Sequence, residues 1–474
     1  MTTTRGIVSY GAYIPYWRLD RAAIAGTLGG HPARGSRSVA SYDEDTTSMG
    51  VEAARIALQA HASRPSSVFF ATAEPAYQDK TNATGIAAAL SLGPDVLAAD
   101  VAGAVRSGVA ALHAGLRTDE ASLAVVSDIR TGLPASAEER DGGDGAAAFV
   151  LGPATAGPLI AEYVGGASVS AEFLDRWRVP GDGRSQVWEE RFGESQYVPL
   201  AERALQRALD SAGITIDRLD RVVLTGLHSR AVRSFVKKSG LQREQLVDDL
   251  TSTIGNTGTA HPGVLLSSVL DTADPGQLVA VIVLADGADV LLFRTTEHVR
   301  SARSPRPVGD QITRGRKDLA YATFLGWRGK LEQEPPRRPI PDRPAGPPSI
   351  QRAEWKFAFT GSRCACGQAH LPPQRVCVDC GLVDEMSEER LSDVPATVAT
   401  YTVDHLAYSM SPPVIAAVID FDGGGRFASE LTDVDPTELA VGTRVEMTFR
   451  RLYTSGGVHN YFWKARPVVK ETIA

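Results

Sequence analysis

The chain has 474 residues, 43% hydrophobic and 22% charged, with a formal net charge of −7. That length suits two to four globular domains at about 100–200 residues each. The acidic balance argues against nucleic acid as a partner, no run of about 18 apolar residues reads as a membrane span, and MTTTRGIVSYGAYIP lacks a signal peptide's apolar core, so a cytoplasmic protein is expected.

Through residue 300, short β-branched runs alternate with Ala/Leu-rich stretches of helical spacing, the pattern of an α/β fold. Strands are expected at SSVFFAT, ASLAVVS, AAAFVLG, RVVLTG, LVAVIVL and ADVLLF, and helices at TTSMGVEAARIALQAHA and YVPLAERALQRALDSAG. Three pairs of segments echo one another. SVFFATAEP (67–75) matches RVVLTGLHS (221–229), VAGAVRSGVAAL (101–112) matches NTGTAHPGVLLSSVL (256–270), and DGAAAFVLG (144–152) matches DGADVLLFR (286–294). Recurring in the same order, they imply two similar halves, 1–165 and 166–300. In such folds functional groups gather at strand C-termini and the turns that follow, which makes Glu74, Val105, His228 and Asn256 candidates for one cleft.

Residues 301–352 turn Pro/Arg-rich, as in RSPRPVGD and EPPRRPIPDRPAGPPS, and read as an extended linker with one short helix in KDLAYATFLGWRGKLEQ. A cysteine cluster follows at 353–385. From 386 to 474 come short strands (ATVATYTVDH, PPVIAAVIDF, RFASEL, RVEMTFRRLY, HNYFWKARP) broken by DGGGR and TSGG, which suit a small antiparallel barrel.

The four cysteines, Cys364, Cys366, Cys377 and Cys380, are the only ones in the chain. Four thiolates close a tetrahedral Zn²⁺ site and hold a segment too short for its own core. The first pair is C-x-C, tighter than the usual knuckle, so a metal-free knuckle stays open; a disulfide is disfavoured in the cytosol. Thiolate chemistry is thereby excluded from the first 363 residues. Glu74 ends a strand and precedes a proline: a general base or a capping carboxylate. His228 holds the matching place in the second half, as an electrophile or a structural histidine. Asn256 lies in a glycine-rich turn, where it can tolerate positive φ or donate to an oxyanion. His261 is placed like a cap, and Asp128 in VVSDIRTG ends a strand as a site residue or a cap.

Residues 1–300 resemble the hydroxymethylglutaryl-CoA synthase branch of the thiolase superfamily, through GIVSYGAYIPYWRL, SYDEDTTSMGVEAARIAL, TAEPAYQDK, VVSDIRTG, GLHSRAVRSFVKKSG and IGNTGTAHPG. Residues 318–474 resemble the zinc-ribbon and OB-fold proteins (DUF35-type) that accompany thiolase-like enzymes, through FLGWRGKLEQEPPRRP, EWKFAFTGSRC, ELTDVDP and RRLYTSGGVHNYFWKARP. The resemblance implies a duplicated αβαβα thiolase-like core, then a zinc ribbon and an OB fold that help shape a CoA or substrate channel. It also implies a homodimer, a coenzyme A thioester as substrate, and a partner hydratase or thiolase-pathway enzyme. Glu74 falls on the family's base, His228 on the histidine that binds the thioester carbonyl, and Asn256 on the asparagine beside it; Tyr77 and Asp128 lie in the matching segments. The family's nucleophilic cysteine falls on Val105. Without a thiol an acyl-enzyme cannot form, and Ser107, two residues on, faces elsewhere. Aldol or retro-aldol chemistry on a β-hydroxyacyl-CoA is therefore expected first, with a synthase-like condensation and a non-catalytic acyl-CoA-binding subunit as alternatives.

Overall fold

The structure, a computed structural model, describes residues 4–29, 33–59, 64–334, 336–337, 343 and 353–468. They group into two compact units, the second taking residues from 331 onward together with 42–44 and 85–93. The run EPPRRPIPDRPAGPPS lies largely outside the described residues.

The first unit is built on a nine-stranded sheet. Its strands are β1 (Arg5–Tyr13), β2 (Ser67–Thr72), β3 (Leu97–Ala102), β4 (Ser122–Ile129), β5 (Asp144–Pro153), β6 (Ala161–Ser170), β7 (Arg221–Gly226), β8 (Leu278–Leu284) and β9 (Gly287–Thr295). Their spatial order is β7-β8-β9-β6-β1-β5-β4-β2-β3. Counted outward from the centre, β1-β5-β4-β2 on one side mirrors β6-β9-β8-β7 on the other. The echoed segments 67–75 and 221–229 thus supply matching strands, as do 144–152 and 286–294. Pairs β2/β4 and β7/β8 are parallel, and β4/β5 and β8/β9 antiparallel. At the centre, β1 and β6 share only the register Gly6–Glu162 and Ile7–Ala161. All seven residues of β8 are buried, which is why LVAVIVL reads as an unbroken apolar run: helices cover both faces of the sheet.

Five helices matter for the site: α1 (Thr46–Gln59), α2 (Ser107–Gly115), α3 (Glu190–Ala212), α4 (Ser229–Ser239) and α5 (His261–Leu270). Val109 and Leu112 of α2 and Val264 and Leu265 of α5 share one core with strand residues of both halves, among them Val126, Phe149, Val281 and Phe293. Tyr197 and Leu205 of α3 and Phe235 of α4 form a second core with Val222, Ile282 and Leu292. Helix α3 starts well before the expected YVPLAERALQ, with Pro199 inside it. Composition marks 301–352 as linker, yet Tyr321, Phe324 and Leu325 pack with Leu19, Ile24 and Val39. The first unit therefore runs to Lys330, and the helix expected over KDLAYATFLGWRGKLEQ shortens to Tyr321–Trp327.

In the second unit, β10 (Thr360–Cys364), β11 (Ala369–His370) and β12 (Met386–Arg390) form a small sheet in the order β11-β10-β12. A closed barrel follows from β13 (Ala396–Asp404), β14 (Val414–Phe421), β15 (Arg426–Leu431), β16 (Arg444–Ser455) and β17 (Val458–Pro467), in the order β13-β14-β15-β17-β16. The barrel is antiparallel except where β15 meets β17, a parallel contact at Leu431 and Ala465 that composition alone does not signal. Residues 42–44 join this unit through buried charge. Lys464 Nζ lies 3.0 Å from Asp43 Oδ2 and 3.3 Å from the Tyr42 hydroxyl, while Arg450 pairs with Glu44 and Asp433. Arg451 N also donates to Asp43 O at 2.8 Å.

Candidate active site

The turn after β2 presents Glu74. Its backbone is fixed on both sides: Glu74 N donates to Thr72 Oγ1 at 3.0 Å, and Thr46 Oγ1 at the start of α1 donates to Glu74 O at 2.9 Å. The side chain is exposed and pairs with Arg178, whose Nη2 lies 2.6 Å from Glu74 Oε2 and donates to Ala73 O at 2.9 Å. Tyr77 closes the same loop, its N–H donating to Asn82 Oδ1 at 3.1 Å.

Val105 occupies the turn from β3 into α2, half-buried and packed on the core that α2 and α5 share. Arg106 anchors that turn. It forms a two-point pair with Asp289 at 2.8 and 3.1 Å and donates to Asp286 O at 2.7 Å. Helix α2 also abuts the turn before α5: a Cβ on Gly108 would sit 2.5 Å from Thr259 O, so only glycine lets the two segments meet.

Asp128 at the end of β4 is fully buried and fastens these loops together. Its Oδ2 accepts from Thr259 N at 3.0 Å and Thr259 Oγ1 at 3.1 Å, and its Oδ1 from Ala73 N at 3.3 Å. Arg130 stands 3.4 Å away and pairs with Glu138 at 2.6 Å, a carboxylate that Arg176 also grips. Burial raises the Asp128 carboxyl above the ordinary range, with Arg130 opposing. Asn256 links its turn to the end of β7: one N–H of Nδ2 donates to Gly226 O at 3.2 Å and Oδ1 accepts from Gly258 N at 2.9 Å. His261 lies entirely inside, its Nδ1 accepting from Thr257 N at 3.2 Å, and burial drives the imidazole down to about 4.

His228 caps α4. Its Nδ1 accepts from Ala231 N at 3.0 Å, so in the neutral ring the proton sits on Nε2. Among the described residues that nitrogen has no hydrogen-bond partner; it faces Asp175 Oδ1, also without one, across 3.9 Å. Asp175 is buried, which raises its carboxyl despite the nearby imidazole. Space for the pair comes from Gly193 of α3, where a Cβ would stand 2.3 Å from Asp175 Oδ1 and 2.6 Å from His228 Nε2. Tyr197, one turn further along α3, lies with its ring 5.9 Å from His228.

Glu74, Val105 and His228 each follow a strand C-terminus of one sheet, whereas Asn256 lies in the turn before α5, beyond α4, and reaches the end of β7 only through its side chain; Asp128 ties the Glu74 loop to that turn and Gly108 brings α2 against it. No hydrogen bond directly joins Glu74, His228 and Asn256 among the described residues. Sequence reasoning missed Asp175 and Arg178. Both flank the short strand Arg176–Trp177, and DRWR carries no periodicity or motif that forecasts where its charges end up.

In the second unit, the four cysteine Sγ atoms lie within 4.8 Å of one another, with Cys364–Cys380 and Cys366–Cys377 both at 3.6 Å. Tetrahedral Zn–S bonds of about 2.3 Å place sulfurs about 3.8 Å apart, so the C-x-C pair fits a four-thiolate metal site. Gly367 and Gly381, both at positive φ, turn the chain back behind each pair.

Two family models match. Residues 209–290 match the C-terminal domain of 3-oxoacyl-[acyl-carrier-protein] synthase III, and residues 388–450 match the C-terminal OB-fold domain of ChsH2. A hydroxymethylglutaryl-CoA synthase from Methanothermobacter thermautotrophicus is 29% identical over 344 residues, covering 69% of this chain and 99% of its own. Among solved structures, MvaS in complex with 3-hydroxy-3-methylglutaryl coenzyme A superposes with TM-score 0.58 at 19% identity, over 72% of this chain and 95% of its own. The 3-oxoacyl-(acyl carrier protein) synthase III of Pseudomonas aeruginosa gives TM-score 0.53 at 21% identity, over 62% and 98%.

Proposed function

Because the chain joins a hydroxymethylglutaryl-CoA synthase-like thiolase-superfamily domain to a C-terminal OB-fold domain, we propose that it makes or breaks a carbon–carbon bond in a β-hydroxyacyl-CoA without a covalent acyl-enzyme. One observation carries this reading: an aliphatic side chain, Val105, holds the turn between β3 and α2, and every cysteine lies between 364 and 380.

In the cleavage direction Glu74 takes the proton of the β-hydroxyl. The C2–C3 bond breaks as C3–O becomes a carbonyl, and its electron pair passes into the thioester as an enolate. The carboxylic acid then returns the proton to C2, leaving a shorter acyl-CoA and a free ketone or aldehyde. A positioned base contributes about 10²–10⁴-fold, and an oxyanion donor about 10²–10³-fold. His228 Nε2–H, which the α4 cap leaves as the ring's one donor, is suited to the enolate oxygen. Asn256 gives one amide N–H to Gly226 O and keeps the second for the enolate oxygen. Val105 supplies a dry wall beside the acyl group.

The cysteine cluster is read as structural zinc, with all four positions filled by sulfur and no step passing through the metal. A cytoplasmic homodimer, with or without a partner hydratase, completes the proposal. The test is incubation of the full chain with a panel of β-hydroxyacyl-CoAs, followed by mass spectrometry, with Glu74→Gln alongside. A shorter acyl-CoA plus a carbonyl product, absent in the variant, is expected. Condensation from acetyl-CoA and an acceptor ester would replace this reading with a synthase, and intact esters bound by both proteins would replace it with a carrier.

A further inference from the structure

The turn between β8 and β9 repeats, in the second half, the Asp-Gly step that opens β5 in the first. The two aspartates meet opposite surroundings. Asp144 is fully buried: Arg37 and Arg328 pair with it, and it accepts from Ala40 N at 2.7 Å and Arg130 N at 3.0 Å. Asp286 is exposed, and its carboxylate makes no hydrogen bond or ion pair among the described residues. The nearby guanidiniums are committed elsewhere, Arg106 to Asp289 and Arg176 to Glu138. The backbone of Asp286 sits in the left-handed region, with φ 46°, uncommon for a residue that carries a side chain.

That backbone sets Asp286 between two walls of the proposed acyl site. Its carbonyl accepts from Arg106 Nη1 at 2.7 Å, next to Val105, and its amide lies beside the hydroxyl of Tyr197, whose ring is 5.9 Å from His228. Gly287 permits the close approach, since a Cβ there would stand 2.9 Å from Arg106 Nη1. Asp175, raised chiefly by burial, is raised further by Asp286, so negative charge gathers on this side of His228. We infer that Asp286 determines specificity, turning away acyl chains that end in an anion and admitting uncharged ones. The inference rests on the reading of Val105 and His228 as parts of the acyl site. An unpaired carboxylate costs little while water reaches it. Once a bound acyl chain displaces that water, a second anion nearby is repelled far more strongly than in bulk solvent, and the residue discriminates by what it rejects.

Calorimetric titration of the full chain with pentanoyl-CoA and with glutaryl-CoA, equal in acyl length and lacking the β-hydroxyl, reads this without turnover. Glutaryl-CoA is expected to bind about tenfold more weakly than pentanoyl-CoA to the unsubstituted protein. Asp286→Asn keeps the size of the side chain and tolerates the same backbone; in it the penalty on glutaryl-CoA should shrink to about twofold. Asp286→Ser should reproduce that loss of discrimination, and the penalty in the unsubstituted protein should narrow as salt rises. Glutaryl-CoA binding as tightly as pentanoyl-CoA, or a penalty untouched by either variant, overturns the inference while leaving the carbon–carbon reading standing. Failure to bind either ester overturns both.

Discussion

Two buried groups in the first unit respond to acid in opposite directions, and separating them tests the core around α5. His261 begins that helix, and burial pushes its imidazole from 6.5 to about 4. A base held below its unfolded value favours the folded state fully above pH 6.5 and loses that contribution as pH falls toward 4, about 3 kcal/mol in all. Asp271 follows the same helix. Burial lifts its carboxyl to about 6, against hydrogen bonds from Tyr10 Oη at 2.8 Å and Val308 N at 2.8 Å. An acid held above its unfolded value of 3.8 does the reverse: the fold gains as pH drops from about 6 to about 4, by about 2–3 kcal/mol. Between pH 6 and 4 the two contributions nearly cancel. Asp271→Asn removes one of them, and the variant's first-unit transition should then lose about 2–3 kcal/mol more than the unsubstituted protein over that interval. Urea unfolding at half-unit pH steps measures it, with constant m-values as the control. The slope is the diagnostic, because an asparagine facing two donors carries a cost that does not vary with pH. Parallel curves for the two proteins would refute the assignment of opposed titrations.

Gly193→Ala places a methyl group 2.3 Å from Asp175 Oδ1, forcing the His228–Asp175 pair apart by about 1 Å; turnover should fall about 10²-fold with the circular-dichroism spectrum retained, and unchanged kinetics would remove His228 from the chemistry. Val105→Cys installs a thiol in the turn before α2, and intact-protein mass spectrometry after exposure to acetyl-CoA should reveal an acyl adduct absent from the unsubstituted chain. If no adduct forms, this turn is not a nucleophile position. Metal analysis should find one divalent ion per chain; stripping it under reducing conditions, or Cys377→Ser, should lower the melting transition of the second unit and spare that of the first.

The elements that the sequence reveals are those whose pattern is imposed by burial. LVAVIVL and AAAFVLG are unbroken apolar runs because both faces of their strands are covered. The paired segments show through because mirrored strands sit in equivalent surroundings, and the cysteines because their close spacing along the chain already brings the four sulfurs together. Glu74 and His228 are legible by position, each just beyond a strand. Asp175 and Arg178 are not, since their partners lie 53 and 104 residues away and nothing local forces that pairing. Residues 301–330 mislead for a related reason: their composition is that of a linker, while a few aromatic side chains suffice to hold them against Leu19 and Val39.

The charged segment 42–44 has a consequence in time. A ribosome completes it early, but Arg451 and Lys464, which bind Tyr42, follow 409 and 422 residues later. At about 5–20 residues per second, that separation is on the order of 20–80 s of synthesis. For that interval Asp43 and Glu44 have neither Lys464 nor Arg450, and the second unit cannot close around its ion pairs until Lys464 has been added. Early release, or a stop codon within β16, therefore leaves an acidic patch near the beginning of the chain permanently without its counter-charges, a defect introduced more than 400 residues from where it is felt.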